Sequence, residues 1–260
     1  MSDIRFHEMG ASDDGNARRI AFRHTKGSGP TLVFLPGYMS DMSGSKATAL
    51  FEAAVAKGRG CLLLDYSGCG ASSGDFADGT LSRWRDEVLA VIEAQVGGKV
   101  LLVGSSMGGW LMLMVGLALG EKLAGIIGIA PAPDFTRWGF ADEQRARMAA
   151  GETVYEDNPY GPEPTPTHPG LFADGEANLM LTKEMERAIP IGCPVRLLHG
   201  QRDADVPWET SLKLARALDT DDVQVTLVKD GDHRLSRDQD IALLMAQTDG
   251  FYQSTPDHTL

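Results

Sequence analysis

Residues Gly104-Ser105-Ser106-Met107-Gly108 fit the pattern G-x-S-x-G. A serine at the centre of that pattern suits nucleophilic attack on an acyl carbonyl, provided a strand precedes it and a helix follows. The requirement is steric. A hydroxyl raised on a tight strand-to-helix turn needs neighbours without a β-carbon, and glycines at 104 and 108 supply that room. The positive end of the following helix and the N–H of Met107 would then face a developing oxyanion. Ser105 is a rival, but it is off the centre of the pattern.

A serine hydroxyl is a weak nucleophile until a base takes its proton. Six histidines compete. His7 and His24 fall in an N-terminal hairpin, His168 in a proline-rich loop and His258 in the tail, so surface or structural roles are expected. His199 ends an apolar run and reads as a satisfied strand-end residue. His233, in Asp230-Gly231-Asp232-His233-Arg234, lies between a strand and the last helix and is the expected base. The imidazole needs a carboxylate to fix its tautomer. The preceding strand is followed by Gln201-Arg202-Asp203-Ala204-Asp205, so the acid is Asp203 or Asp205. The resulting chain order, Ser then Asp then His, is that of α/β-hydrolases. A second oxyanion donor is expected from the N–H of Tyr38 in Pro36-Gly37-Tyr38-Met39. The loop Asp65–Gly74 is glycine-rich, but it lacks the endings of phosphate-binding loops. The three cysteines have no metal-ligand spacing. No metal and no cofactor are expected.

These residues need a scaffold that brings loops to one edge. Short strands are expected at Ile4–His7 and Arg18–His24, around a turn at Asp13–Asn16. Buried strands follow at Thr31–Leu35, Cys61–Asp65, Val100–Val103, Ala124–Ala130, Pro194–His199 and Val223–Val228. Helices are expected at Lys46–Lys57, Leu81–Gln95 with Thr80 as cap, Met107–Leu119, Pro207–Leu218 and Asp238–Phe251. Met107–Leu119 is apolar all round, as in a helix buried mid-fold. The alternation of apolar strands with helices predicts an α/β fold with a mostly parallel sheet covered on both faces. It breaks once, at residues 134–190, which hold Arg- and Glu-rich helical pieces and the loop PYGPEPTPTHPG. That segment reads as a cap inserted within one domain spanning 1–260, because it is too long for an ordinary connection.

Composition narrows the function. Lys and Arg number 24 against 36 Asp and Glu, a formal charge of −12. Such a chain is a poor partner for nucleic acid, whose phosphates are held by Lys and Arg. Residues 100–120 are uncharged and long enough to cross a bilayer, but glycines interrupt them and the period changes midway. They read as strand, turn and helix, so no membrane span is expected. The N-terminus carries Asp3, Glu8, Asp13 and Asp14 and no apolar stretch, which argues against a signal or transit peptide. Sparse cysteines suit a reducing compartment, and a cytoplasmic location is expected.

Taken together, these motifs resemble the α/β-hydrolases over nearly the whole chain. A closer resemblance is to the palmitoyl-protein thioesterase and mycophenolic acid acyl-glucuronide esterase branch of that family. The resemblance is carried by Phe34–Met39 (FLPGYM), Asp65–Gly68 (DYSG), Gly104–Met112 (GSSMGGWLM), Arg196–Gly200 (RLLHG), Val206–Trp208 (VPW) and Asp232–Arg234 (DHR). The family pattern H-G-x-x-D-x-x-V-P implies Asp203 as the acid, with Ser106 as nucleophile and His233 as base. The long mitochondrial leader of that branch is missing, so a bacterial relative is expected. The resemblance implies a hydrolase of esters or thioesters with an apolar acyl group, acting on a small molecule or an acylated protein. A peptidase or carbon–carbon bond hydrolase on the same triad, or a non-catalytic binding protein, would share the fold.

Overall fold

Strand β1 (Arg5–Met9) and β2 (Arg18–Thr25) pair antiparallel, with Phe6 opposite Ala21. Six further strands of the same sheet follow in the chain: β3 (Ser28–Leu35), β4 (Arg59–Leu64), β5 (Val100–Ser105), β6 (Leu123–Ile129), β9 (Val195–Gly200) and β10 (Val223–Val228). The spatial order is β1-β2-β4-β3-β5-β6-β9-β10. From β4 to β10 every pairing is parallel. The computed structural model describes residues 3–10, 17–159, 161–181 and 189–253. The turn expected at Asp13–Asn16, Tyr160 and His258 lie outside them.

The apolar runs become strands because both faces are covered. Alternation along β5 divides its side chains. Val100 and Leu102 join one core with Trp84 and Val88 of α2 (Leu81–Gln95), Leu111 of α3 (Met107–Leu119) and Leu214 of α7 (Glu209–Ala217). Leu101 and Val103 join the other, with Leu50 and Phe51 of α1 (Ser45–Ala56) and Leu244 of α8 (Asp238–Gln253). Helix α3 has no polar face and is buried from Met107 to Gly116. The uncharged stretch 100–120 is therefore a strand and a 13-residue helix, and no described helix is long and apolar enough to cross a membrane. Thr80 caps α2, accepting a hydrogen bond from the Arg83 N–H at 3.1 Å.

Strand order reverses at β3, which lies between β4 and β5. Helix α1 carries the chain from β3 to β4, and α2 carries it back past β3 to β5. The loops leaving β3 and β5 thus diverge, and a crevice opens between them at the carboxyl edge of the sheet. Register fixes what meets there. Leu35 pairs with Gly104, so the turn after β3 stands beside Ser106. Val228 pairs with Gly200, so the loops after β9 and β10 also run side by side.

Between β6 and β9 lie α4 (Phe135–Trp138), α5 (Asp142–Ala149) and α6 (Pro169–Ala177), with a small hairpin of β7 (Val154–Glu156) and β8 (Thr165–Thr167). The hairpin differs from the unbroken proline-rich loop read from sequence. Pro166 sits in β8, which a two-stranded sheet tolerates because one edge of each strand makes no ladder bonds. Asp134, at a left-handed φ of +60°, fastens the segment at its base. Its buried carboxylate accepts from the N–H groups of Met180 and Leu181, both at 2.6 Å.

Candidate active site

Ser106 stands between β5 and α3 with φ +55° and ψ −120°, a conformation L-residues rarely adopt. Neighbouring segments hold it there. Its N–H donates to the Ile129 carbonyl at 2.9 Å, and its carbonyl accepts from Gly109 at 2.8 Å and Ala132 at 3.0 Å. The flanking glycines are required by contact. A β-carbon on Gly104 would strike the Gly108 carbonyl, and one on Gly108 would strike the carbonyl oxygens of Leu35 and Pro36. Gly108→Ala should therefore cost on the order of 1–3 kcal/mol, as overpacking does, measured by urea denaturation. An unchanged midpoint would show that the turn has slack.

The loops after β9 and β10 bring the other two groups to Ser106. His233 Nε2 lies 3.1 Å from Ser106 Oγ, and His233 Nδ1 lies 2.8 Å from Asp203 Oδ2. A carboxylate only accepts, so Nδ1 carries the imidazole proton and Nε2 is left to accept from the serine. The Asp203 side chain is wholly buried; that of His233 is 14% exposed. Asp203 Oδ1 accepts from the N–H groups of Asp205 at 2.9 Å and Val206 at 2.8 Å. Burial alone would raise the Asp203 carboxyl pKa. Hydrogen bonds from His199 and His233, the charge of His233 and the Val206 N–H outweigh it and hold the group well below the usual carboxylate range. Asp205 is exposed, although its carboxylate comes within 4.8 Å of both Asp203 and His233. Of the two acids the sequence offered, Asp203 is the one bonded to the imidazole.

The turn after β3 packs directly over the serine. A β-carbon on Gly37 would lie 3.3 Å from the Ser106 β-carbon. Tyr38, the donor expected from the sequence, is the next residue in this turn. The N–H of Met107 opens α3, where a helix has no carbonyl to offer it. The Tyr38 hydroxyl donates to the Pro166 carbonyl of β8 at 2.7 Å, tying this turn to the segment above it. The Tyr38 ring lies 5.1 Å from Phe76 and 6.2 Å from Phe135, and Phe135 meets Trp110 edge-on at 5.6 Å. These rings form one connected aromatic cluster.

The remaining residues divide. Phe140, with Phe172, packs inside the segment between β6 and β9. Trp138 donates to the Pro133 carbonyl, and Tyr155 is exposed. His7 and His24 lie on β1 and β2. His168 Nδ1 is 3.1 Å from Thr153 Oγ1, with its ring edge-on to Phe76. A groove of about 860 Å³ lies at the opposite edge of the sheet among Pro30, Lys99, Glu121, Pro190 and Cys193. Burial pushes the Cys193 thiol up to about 11, so it is no ready nucleophile there.

Two side chains that contact these loops were not assigned to the site from the sequence. Lys46 of α1 donates to the carbonyl of Arg234, next to His233, and lies 3.4 Å from Ser236 Oγ. Burial, with the charge of Arg234, lowers its pKa to about 8. His199 is bonded to Asp203 itself, at 3.1 Å. Lys46 carried no sequence signal, since nothing local links α1 to residue 234. His199 did carry one, as the histidine of the H-G-x-x-D pattern.

Residues 32–249 match the model of the alpha/beta hydrolase family. The chain is 39% identical over 236 residues to a Mus musculus protein named "Palmitoyl-protein thioesterase ABHD10, mitochondrial", covering 88% of this chain and 77% of the relative. A crystal structure of a protein from Agrobacterium vitis S4 is 41% identical, with a TM-score of 0.87, over 96% of this chain and 99% of that one. Mouse alpha/beta hydrolase domain-containing protein 10 superposes with the same TM-score at 33% identity, over 97% and 99% of the two chains.

Proposed function

Since this chain belongs to the alpha/beta hydrolase family, we propose that it hydrolyses carboxylic esters and thioesters with an apolar acyl group. The observation that carries the reading is the hydrogen-bonded series Ser106–His233–Asp203. In the first step His233 Nε2 takes the Ser106 proton as Oγ attacks the carbonyl carbon. The oxyanion accepts from the N–H groups of Met107 and Tyr38. The tetrahedral intermediate expels the alcohol with the proton from His233, or a thiolate that takes up that proton through solvent, and either way the imidazole is neutral again. Water, deprotonated by His233, then attacks the acyl-enzyme, and the acid is released as His233 returns the proton to Ser106 Oγ. Asp203 stays ionised throughout and stabilises the imidazolium. The elements between residues 134 and 190 act as the cap of a single domain, and Phe135 of that cap, with Tyr38 and Phe76 from the loops below, receives the acyl chain. The free cysteines suit a reducing compartment, the cytoplasm or, as in the relative's name, the mitochondrion.

Each buried CH₂ contributes about 0.8 kcal/mol, roughly fourfold in catalytic efficiency where these rings fit it. Initial rates on an ester series from acetyl to palmitoyl should rise over the first several carbons and then level. Thioesters should be accepted at least as readily, because a thiolate leaves without full protonation. A flat or falling profile beyond acetyl would remove the apolar-acyl reading. Coenzyme A is disfavoured as the leaving group. Arg137 faces Glu176 at 2.8 Å, Arg147 faces Glu152 at 2.9 Å, and Arg145 lies 3.6 Å from Asp142. Their charge is matched locally, on a chain of charge −12. Acyl-coenzyme A should turn over on the order of tenfold more slowly than the same acyl group on N-acetylcysteamine at low salt.

A further inference from the structure

His199 is fully buried on β9, and every polar atom of its ring is engaged. Nε2 lies 3.1 Å from Asp203 Oδ2 and 3.1 Å from the Val206 carbonyl oxygen. Both neighbours only accept, so Nε2 carries a proton. Nδ1 lies 2.7 Å from Oγ of Ser211, a fully buried residue of α7. In the neutral ring Nδ1 is an acceptor, and the Ser211 hydroxyl donates to it. The ring is thus held in one tautomer from both sides.

We propose that His199, set in its Nε2–H tautomer by Ser211, is a positioning residue that holds the Asp203 carboxylate in register with His233. The inference rests on the triad reading above. Asp203 offers about four lone-pair directions. On this structure Oδ1 takes two backbone N–H groups and Oδ2 takes two imidazole N–H groups. With all four filled, the carboxylate has no second orientation to turn into. Remove the His199 donor and the plane of the carboxylate can tilt, carrying the His233 ring and its Nε2 away from Ser106. The bond from His199 also ranks first among the interactions that keep Asp203 ionised against burial. The hydrogen-bonded series therefore runs through five side chains, Ser106, His233, Asp203, His199 and Ser211, and reaches from the carboxyl edge of the sheet into the packing of α7.

The test compares His199→Leu, His199→Gln and Ser211→Ala in the full chain. His199→Leu removes the donor at similar size. It should lower kcat by about 10–100-fold, the scale on which metal-ligating histidines suffer from loss of a supporting hydrogen bond, with KM within about twofold, since substrate is not touched. His199→Gln can present an amide N–H towards Oδ2 and should recover most of kcat. Ser211→Ala should lose several-fold in kcat. Proton-coupled ¹⁵N spectra of histidine-labelled protein supply a readout independent of turnover. They should show a proton on Nε2 and none on Nδ1 of His199, and the His233 Nδ1–H resonance should move in Ser211→Ala. A His199 ring protonated on Nδ1 overturns the proposal. So does a His199→Leu protein that melts earlier yet keeps wild-type kcat, because the histidine would then be packing alone. If the leucine variant does not fold, Ser211→Ala decides: unchanged kcat with an unmoved His233 resonance rejects the proposal. Failure of the triad reading looks different, since Ser106→Ala would then retain ester hydrolysis while the ¹⁵N pattern stayed as expected.

Discussion

Ser106→Ala will leave the protein folded, unreactive towards a fluorophosphonate and slower on a short ester by on the order of 10⁶-fold in kcat. The size follows from what the hydroxyl does. Without it no acyl-enzyme forms, and the remaining contribution is binding and oxyanion stabilisation, which act on water as the only nucleophile. Folding should survive because Ser106 is held by its backbone, through Ile129, Gly109 and Ala132, and its side chain is a small group at the crevice. The left-handed φ is already imposed on a β-carbon, which alanine also carries. Ser105→Ala is the control. It ends β5, pairs with Ile129 and is buried, so its loss should leave labelling intact. Covalent labelling that persists in Ser106→Ala and vanishes in Ser105→Ala would move the nucleophile by one residue and overturn the assignment.

Much of this architecture was legible because the signals are local. Buried parallel strands are short apolar runs ended by turn residues, and CLLLD or TLVFL can hardly be read otherwise. The helix Met107–Leu119 announces its position mid-fold by having no polar face. The order of the sheet is another matter. That β3 lies between β4 and β5, and so brings Gly37 to Ser106, depends on the crossovers, and no single segment states it. The small hairpin of β7 and β8 was hidden for a different reason. Three-residue strands leave almost no period, and Pro166 reads as a loop residue until a partner strand is known. His199 shows the same limit at the site. Alone, a histidine at a strand end is adequately explained by a local bond. Its two-sided engagement depends on the loop turning back at Val206 and on α7 presenting Ser211, 12 positions on.

Asp203→Asn should cost about 10⁴-fold in kcat on esters, the scale set by the corresponding change in a well-studied triad. The bonding around this residue says why an isosteric change should be so damaging. An amide has one accepting oxygen and one donating nitrogen, whereas Asp203 accepts at both oxygens: two backbone N–H groups on Oδ1, two imidazoles on Oδ2. If the amide oxygen stays with the N–H groups of Asp205 and Val206, its NH₂ faces His233. The ring must then move its proton to Nε2, where it can no longer accept from Ser106. If the amide flips, two backbone donors are left facing a donor in a buried site. Asp205→Asn meets no such conflict, because that carboxylate is exposed and the bond to the imidazole belongs to Asp203. Its effect should stay within several-fold. Stability should follow the same division. The folded-state pKa of Asp203 is depressed, so its charge contributes stability above the unfolded carboxylate value, near 3.9, and that contribution fades as pH falls below it. Asp203→Asn should accordingly unfold at lower denaturant than wild type near neutral pH, and the gap should narrow in acid. Should Asp205→Asn instead show the large kinetic loss and the pH-dependent gap, Asp205 is the acid in solution and the Asp203–His233 bond is not the working one.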